Sequence, residues 1–137
     1  MEDLKTTEAK EKAAFVAVLG HAARINGVTD SEVEFINSVA ADFELSEEEL
    51  QSSAKLRDEI ETIALLKYIV NPQTKLRLIR ELFFLGYADG NLSNEEVLFV
   101  SEVGNALNVP VDTIEKISDW VIRGIEWEEE GEELFAV

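Results

Sequence analysis

The sequence predicts an all-α fold, a single domain of six to seven helices built from two pseudo-symmetric helical repeats. Apolar residues recur at helical spacing along most of the chain, and no stretch shows the alternation of a half-buried strand. Only two of the 137 residues are prolines, so helices are rarely interrupted. A glycine turn followed by a capped helix start occurs at Gly27 and again at Gly90. The recurrence indicates an internal duplication.

The composition predicts one folded domain without disulfides. A chain of 137 residues, 46% of them apolar, is long enough to bury a core of its own. Cysteine is absent, which excludes disulfides, thiolate metal ligands and thiol catalysis. Twelve basic and 29 acidic residues give a net charge of −17, which repels nucleic-acid phosphates and anionic membrane surfaces. We therefore expect no nucleic-acid partner, and instead cations or basic proteins.

The amino-terminal residues and the apolar runs predict a cytoplasmic protein. The start of the chain, Met1 to Lys5, lacks the basic and then apolar profile of a signal peptide. No apolar run approaches the roughly 20 residues that a membrane span needs. We expect no direct insertion into a membrane.

Two helices joined by the first glycine turn are predicted in the first third of the chain. Apolar residues between about 7 and 25 form a wide stripe, which indicates a helix buried on more than one side. After Gly27, Thr29 with Glu32 is a capping box and begins a second helix. One face of this second helix is apolar: Val33, Ile36, Ala40 and Phe43.

The middle of the chain predicts a third helix and then a long one. Ser46 with Glu49 is another capping box, and we expect its helix to continue or restart near Leu56 and to reach about residue 70. Asn71-Pro72 ends it, because a residue before proline avoids helical geometry whereas proline suits a first helical turn. The next helix is predicted over 72–88.

The last third of the chain repeats the first. Ser93 with Glu96 caps the next helix, and apolar residues recur about 64 positions after their counterparts. The matched pairs are Val33/Val97, Phe35/Phe99, Ile36/Val100, Val39/Val103, Phe43/Leu107, Leu45/Val109 and Leu50/Ile114. Small residues at Ala40 and Gly104 predict a close helix crossing. We expect repeat one over about 13–54 and repeat two over about 76–121, with a pseudo-twofold axis that brings the two glycine turns together.

Residues 126–137 read as an acidic tail after a domain of residues 1–125. Six of these twelve residues are glutamates, which is typical of a frayed, solvated end. The alternative is that large apolar residues anchor the tail on the protein's own body or across a dimer, with a bend at Gly131: Trp127, Leu134 and Phe135. We predict packing at least through Trp127, because exposing such a side chain costs roughly 1.5–3 kcal/mol.

Three carboxylates gather at the second glycine turn: Asp89, Glu95 and Glu96. With Asn91 they could supply the several oxygen ligands that Ca²⁺ or Mg²⁺ needs. An EF-hand is the wrong template, because aligning Gly90 with its sixth loop position puts Leu85 where the first aspartate belongs. The alternative is that these acids serve only the helix ends and the helix dipole.

A helix ending in Ala-Asp-Gly, a short loop, a Ser-x-x-Glu cap and a helix ending near Leu-x-Val, present twice, resembles the tellurite-resistance TerB-like family. The resemblance extends from about residue 13 to residue 121. It implies that acidic residues beside each turn are associated with divalent-metal binding: Asp89 with Glu95 or Glu96, and Asn26 with Asp30 or Glu32. Asn26 departs from the pattern and brings an amide oxygen without charge.

The resemblance implies a non-enzymatic, stress-response-type module that binds a divalent cation, with Ca²⁺ or Mg²⁺ as the best fit and no other cofactor. The alternative is an acidic protein–protein interaction module without metal, whose partner is a basic or membrane-associated protein. A homodimer is also left open. The only histidine, His21, suits packing better than catalysis, and neither a nucleophile elbow nor a phosphate-binding loop occurs.

Overall fold

The computed structural model describes residues 2–25, 29–87 and 92–136, with side chains from Ala9 onward. These residues form seven α-helices: α1 (Glu2–Arg24), α2 (Asp30–Asp42), α3 (Glu47–Ala54), α4 (Glu59–Ala64), α5 (Pro72–Tyr87), α6 (Asn94–Ala106) and α7 (Val111–Phe135). A 3₁₀ turn, Leu65–Tyr68, follows α4 directly. The described ranges contain no strand, so the predicted all-α class is confirmed. None of the helices described is long and apolar enough to cross a membrane.

The helices α1 and α5 lie at the centre of the fold and pack on each other. The first also contacts α2, α3 and α4, whereas α5 contacts α6 and α7. Six consecutive residues of α1, from Ala14 to Leu19, are buried, so this helix is covered on all sides over more than a turn. The wide apolar stripe had predicted this.

Four helices begin with a capping box, in which the cap side chain and the glutamate three residues later exchange hydrogen bonds. Three of these boxes are the predicted ones. The fourth uses Asp58, whose carboxylate accepts a hydrogen bond of 2.7 Å from the backbone N–H of Glu61 at the start of α4. The predicted restart near Leu56 is therefore placed three residues before the first residue of α4, and Leu56 itself is 75% exposed.

The segment after α3 is also less helical than predicted. Its helix ends at Ala54, and Arg57 donates hydrogen bonds to the carbonyl oxygens of Ser52 and Lys55 at 2.9 and 3.2 Å. These bonds satisfy acceptors that a helix end leaves open. The α-helix that follows ends at Ala64, so a continuous helix reaching residue 70 is wrong.

The ends of α2 and α6 have the same backbone structure. Glu44 and Asn108, 64 positions apart, both adopt a left-handed conformation, with φ of 55° and 59°. The next residue in each case bonds back into the helix, Leu45 N–H to Ala40 O at 3.3 Å and Val109 N–H to Gly104 O at 2.9 Å. Both ends are thus Schellman motifs. This agreement supports the duplication; the two glycine turns lie outside the described residues, so the pseudo-twofold axis and the closeness of the turns stay predictions.

A close helix crossing is confirmed at Gly104. A Cβ atom built on this buried glycine would collide with Ile114 Cδ1 of α7. The matching Ala40 is 5% exposed and is also buried in the core.

The predicted tail is the end of a helix. No residue between Ile125 and Phe135 interrupts α7, because glutamate is a good helix former and Gly131 alone does not break the pattern. A frayed end and a bend at Gly131 are therefore both wrong. Packing of Trp127 on the protein's own body is wrong as well, since this residue is 75% exposed.

Candidate functional site

The start of α6 places one predicted metal ligand, Glu96, beside the second glycine turn. Its backbone N–H donates to Ser93 Oγ, and its Oε1 accepts from the Ser93 N–H, each at 3.1 Å. A Cβ atom on Gly86 in the last turn of α5 would lie 3.0 Å from Glu96 Oε2 and would collide with Leu92. The carboxylate of Glu96 is therefore held between the end of α5 and the start of α6.

The start of α2 places Glu32 in the same way but deeper. Its Oε1 accepts hydrogen bonds from the N–H and the hydroxyl of Thr29, at 3.0 and 3.1 Å. Glu32 is 3% exposed, whereas Glu96 is half-buried. The first turn therefore offers a cation a less accessible carboxylate.

The other predicted ligands that the structure describes, Asp30 and Glu95, are not part of a carboxylate cluster. Asp30 and Glu95 are exposed at the first turns of their helices. Asn26, Asp89 and Asn91 lie outside the described residues. Among the side chains that are described, no three Asp, Glu or His residues come together in a way that could hold a metal ion.

A groove lies between the helices of each unit. One, of about 420 Å³, is formed by α1, α2 and α3, and the other, of about 360 Å³, by α5, α6 and α7. Residues at matching positions of the two units line both grooves: Gly20/Phe83, Arg24/Tyr87, Ile36/Val100, Asn37/Ser101 and Leu50/Ile114. The two units therefore share the groove as well as the cap.

A comparison with family models matches the family described as Tellurite resistance protein TerB over residues 5–119. The match covers well over half of the chain. This chain belongs to the TerB family. The predicted resemblance is thereby confirmed, and with it a connection to tellurite resistance. Searches of curated proteins and of solved structures each found no match.

The single histidine of this TerB-family chain makes the contacts of a packing residue. His21 Nδ1 lies 3.4 Å from the hydroxyl oxygen of Thr62, and its ring centre lies 5.0 Å from that of Phe99. Burial, together with the positive charge of Arg24, lowers the pKa of His21, although Glu59 partly opposes the shift. A neutral ring tying α1 to α4 and α6 suits these surroundings.

Sequence reasoning missed a groove between α5 and α7, which we name the basic groove. Its volume is about 420 Å³ and it is lined by seven residues: Gln73, Leu76, Arg77, Arg80, Lys116, Ile117 and Trp120. Three of the twelve basic residues of the chain lie here. These basic residues lie on two helices that are far apart in the sequence, so they form no local motif. The only local signal is the spacing of Arg77 and Arg80, which places both on one face of α5.

A buried carboxylate orders the arginines of the basic groove. Glu81 is 7% exposed, and its Oε1 lies 2.8 Å from Arg80 Nη2 and 3.9 Å from Arg77 Nε. The guanidinium of Arg77 also lies over the rings of Phe15 and Phe43, 5.8 and 5.0 Å from their centres. These contacts hold Arg77 and Arg80 in place along the groove.

Proposed function

We propose that this chain is a non-enzymatic cytoplasmic module of the stress-response type, which binds a divalent cation at the turn between α5 and α6. Membership of the TerB family supports a role related to tellurite resistance. The observation that carries the cation proposal is the position of Glu96, whose carboxylate is held at the base of the turn that contains Asp89. Two carboxylates supplemented by backbone carbonyls and water are suitable ligands for Ca²⁺ or Mg²⁺.

The second turn is the stronger candidate of the two. Asp89 brings a charge to it where Asn26 brings only an amide oxygen to the first turn. Glu32 is also nearly fully buried and accepts two hydrogen bonds on one oxygen. Asp30 and Glu95 are exposed, so their contribution is to the local negative field or to water-mediated contacts.

An acidic interaction module without metal is the second candidate, and one observation favours it. Glu32 and Glu96 make the same capping hydrogen bonds as Glu49 and Glu61, which do not follow glycine turns. Capping alone therefore accounts for those bonds. In this case the acidic surface would bind a basic or membrane-associated protein.

Calorimetric titration of Ca²⁺, Mg²⁺, Mn²⁺ and Zn²⁺ into chelator-treated protein separates the two candidates. Glutamine also fits the third position of a capping box, so Glu96→Gln removes the charge and keeps the cap. We expect this variant and Asp89→Ala to weaken cation binding by roughly tenfold or more, since each removes a charged ligand.

The matched control is Glu49→Gln, which makes the same change in the capping box of α3. It should bind the cation as the unmodified protein does. If millimolar metal gives no heat, or if Glu96→Gln and Asp89→Ala bind normally, the cation proposal fails and the interaction module is preferred.

A further inference from the structure

The last ten residues of α7, 126–135, project from the body of the molecule, and we name them the distal helix. Every described residue from Glu126 to Ala136 is exposed, except Gly131, which is half-buried. Three of them are large and apolar: Trp127 is 75% exposed, Leu134 71% and Phe135 83%. The described part of the chain does not cover these side chains.

The charges of the distal helix disfavour its own helical structure. Glutamates repel one another at a spacing of four residues in three pairs: Glu126/Glu130, Glu128/Glu132 and Glu129/Glu133. Negative charge near the carboxyl end also opposes the helix dipole, and Gly131 lowers helix propensity. The distal helix continues α7 but is exposed, so it gains little of the packing that stabilises most helices in proteins. Binding to a positively charged surface with apolar residues would offset the repulsion between the glutamates and would cover the exposed apolar side chains.

The basic groove has this complementary chemistry. Arg77, Arg80 and Lys116 supply positive charge, and Trp120 is 53% exposed among the apolar residues of the groove. Asp42 and Glu81 offset part of the arginine charge, which leaves one positive charge in excess in a chain of net charge −17. Lys116 forms no ion pair with any described residue.

One face of α7 connects the basic groove to the distal helix. Residues on it are alternately four and three positions apart, as along the seam of a coiled coil: Trp120, Gly124, Trp127, Gly131 and Leu134. A Cβ atom at either Gly124 or Gly131 would meet no other atom within 4 Å. The face is therefore open, and its glycines allow a second helix to approach closely.

We propose that two copies of this chain form a symmetric dimer, in which the distal helix of each copy lies in the basic groove of the other. The two α7 helices run antiparallel and cross near Gly124, with Trp127 as the central anchor of each copy. Lys116 and Glu130 each directly precede a position of this seam and so lie on the same flank of it, which places Glu130 beside Lys116 of the second copy. Such an interface uses the same surface twice, as twofold dimers do.

Charge reversal at this pair tests the dimer in the full-length chain. Lys116→Glu and Glu130→Lys each place like charges opposite one another twice, so we expect the dimer dissociation constant to rise roughly tenfold or more in sedimentation equilibrium. An equimolar mixture restores two attractive pairs, and its dissociation constant should return to that of the unmodified protein. Within one copy positions 116 and 130 are about 21 Å apart along α7, so an intramolecular pair does not explain the rescue.

Lys55→Glu is the matched control, because it makes the same charge change on an exposed residue outside the groove. It should leave the dimer unchanged, and circular dichroism should show that all variants are folded. Addition of salt should weaken the dimer. A protein that is monomeric at low salt and high concentration overturns the proposal, even if its distal helix binds a basic protein. An equimolar mixture whose dissociation constant stays as high as those of the single variants also overturns the proposal.

Discussion

Two units of the molecule have similar backbone structures but bury different side chains. One is formed by α1, α2 and α3, and the other by α5, α6 and α7. Both have the cap, the Schellman motif and the groove. The first buries its capping glutamate, Glu32, whereas the second leaves Glu96 half-exposed beside an aspartate-containing turn. The two units therefore have matching backbone features, and they differ in how accessible the carboxylate of the capping glutamate is.

The largest expected difference between the units is the loss of stability when their matched phenylalanines, Phe35 and Phe99, are truncated. Phe99 is 1% exposed and packs against His21, whereas its counterpart Phe35 is only half-buried. Phe99→Ala should lower the free energy of unfolding by about 3–5 kcal/mol, since it leaves a cavity in a fully packed site. Phe35→Ala should cost less than half as much. Urea denaturation of both variants measures the difference, and equal losses would mean that the two units contribute equally to the core.

A second difference between the units concerns the left-handed residue after α2 and α6. Asparagine tolerates this conformation better than glutamate, so the first unit carries the greater strain, at Glu44, and the second the smaller, at Asn108. Glu44→Gly should therefore raise the free energy of unfolding by about 1 kcal/mol, and Asn108→Gly should raise it by only a few tenths. Both residues are exposed, so packing changes little. Thermal unfolding would contradict this if Asn108→Gly were the more stabilising change.

Local sequence signals predicted the helix starts. Thr29, Ser46 and Ser93 each precede a glutamate at the capping distance, and all three boxes form. Asp58 has the same pattern with an aspartate as the cap, but the prediction placed the helix start near the apolar Leu56 instead. A capping box lies within four consecutive residues, so it can be recognised in the sequence without knowledge of the fold.

Features that depend on distant segments were not predicted. Helical spacing placed Trp120 on an apolar face, but only the arrangement of α5 and α7 shows that it packs edge-on against Phe84 and stays 53% exposed. The basic groove likewise requires Arg80 and Lys116 to be brought together by the fold. At the candidate metal site, the capping box predicted the place of Glu96, whereas Asp89 lies outside the described residues and its part stays a prediction.

The smallest expected difference is a pH dependence that one unit has and the other lacks. His21 of α1 corresponds to Phe84 of α5, counting back from the two glycine turns. Burial and Arg24 lower the pKa of His21 in the folded state below the ordinary value of 6.5. As the pH falls through 6.5 the unfolded chain takes up a proton that the folded chain resists, so stability is lost below that pH and is fully present above it.

Burial favours the neutral ring of His21, whereas a hydrogen bond with the backbone of Arg57 opposes the lowering of its pKa, and the contact with Thr62 adds no preference for the charged form. The hydroxyl of Thr62 donates to the carbonyl oxygen of Asp58 at 2.8 Å, so His21 Nδ1 is the donor in its 3.4 Å contact with Thr62 Oγ1. A neutral imidazole already has this proton, and the extra proton of the charged ring would go to the other nitrogen. Protonation therefore adds a charge without improving this contact.

Melting temperatures of the unmodified protein and of His21→Gln, measured between about pH 7.5 and 5.5, test this prediction. The unmodified protein should lose stability relative to the variant as the pH falls. Glu102, whose pKa is raised chiefly by a hydrogen bond with Glu59, would change stability in the opposite direction, because its folded state favours the protonated carboxyl. Parallel melting curves, or a gain by the unmodified protein at low pH, would show that His21 is not held neutral by its surroundings.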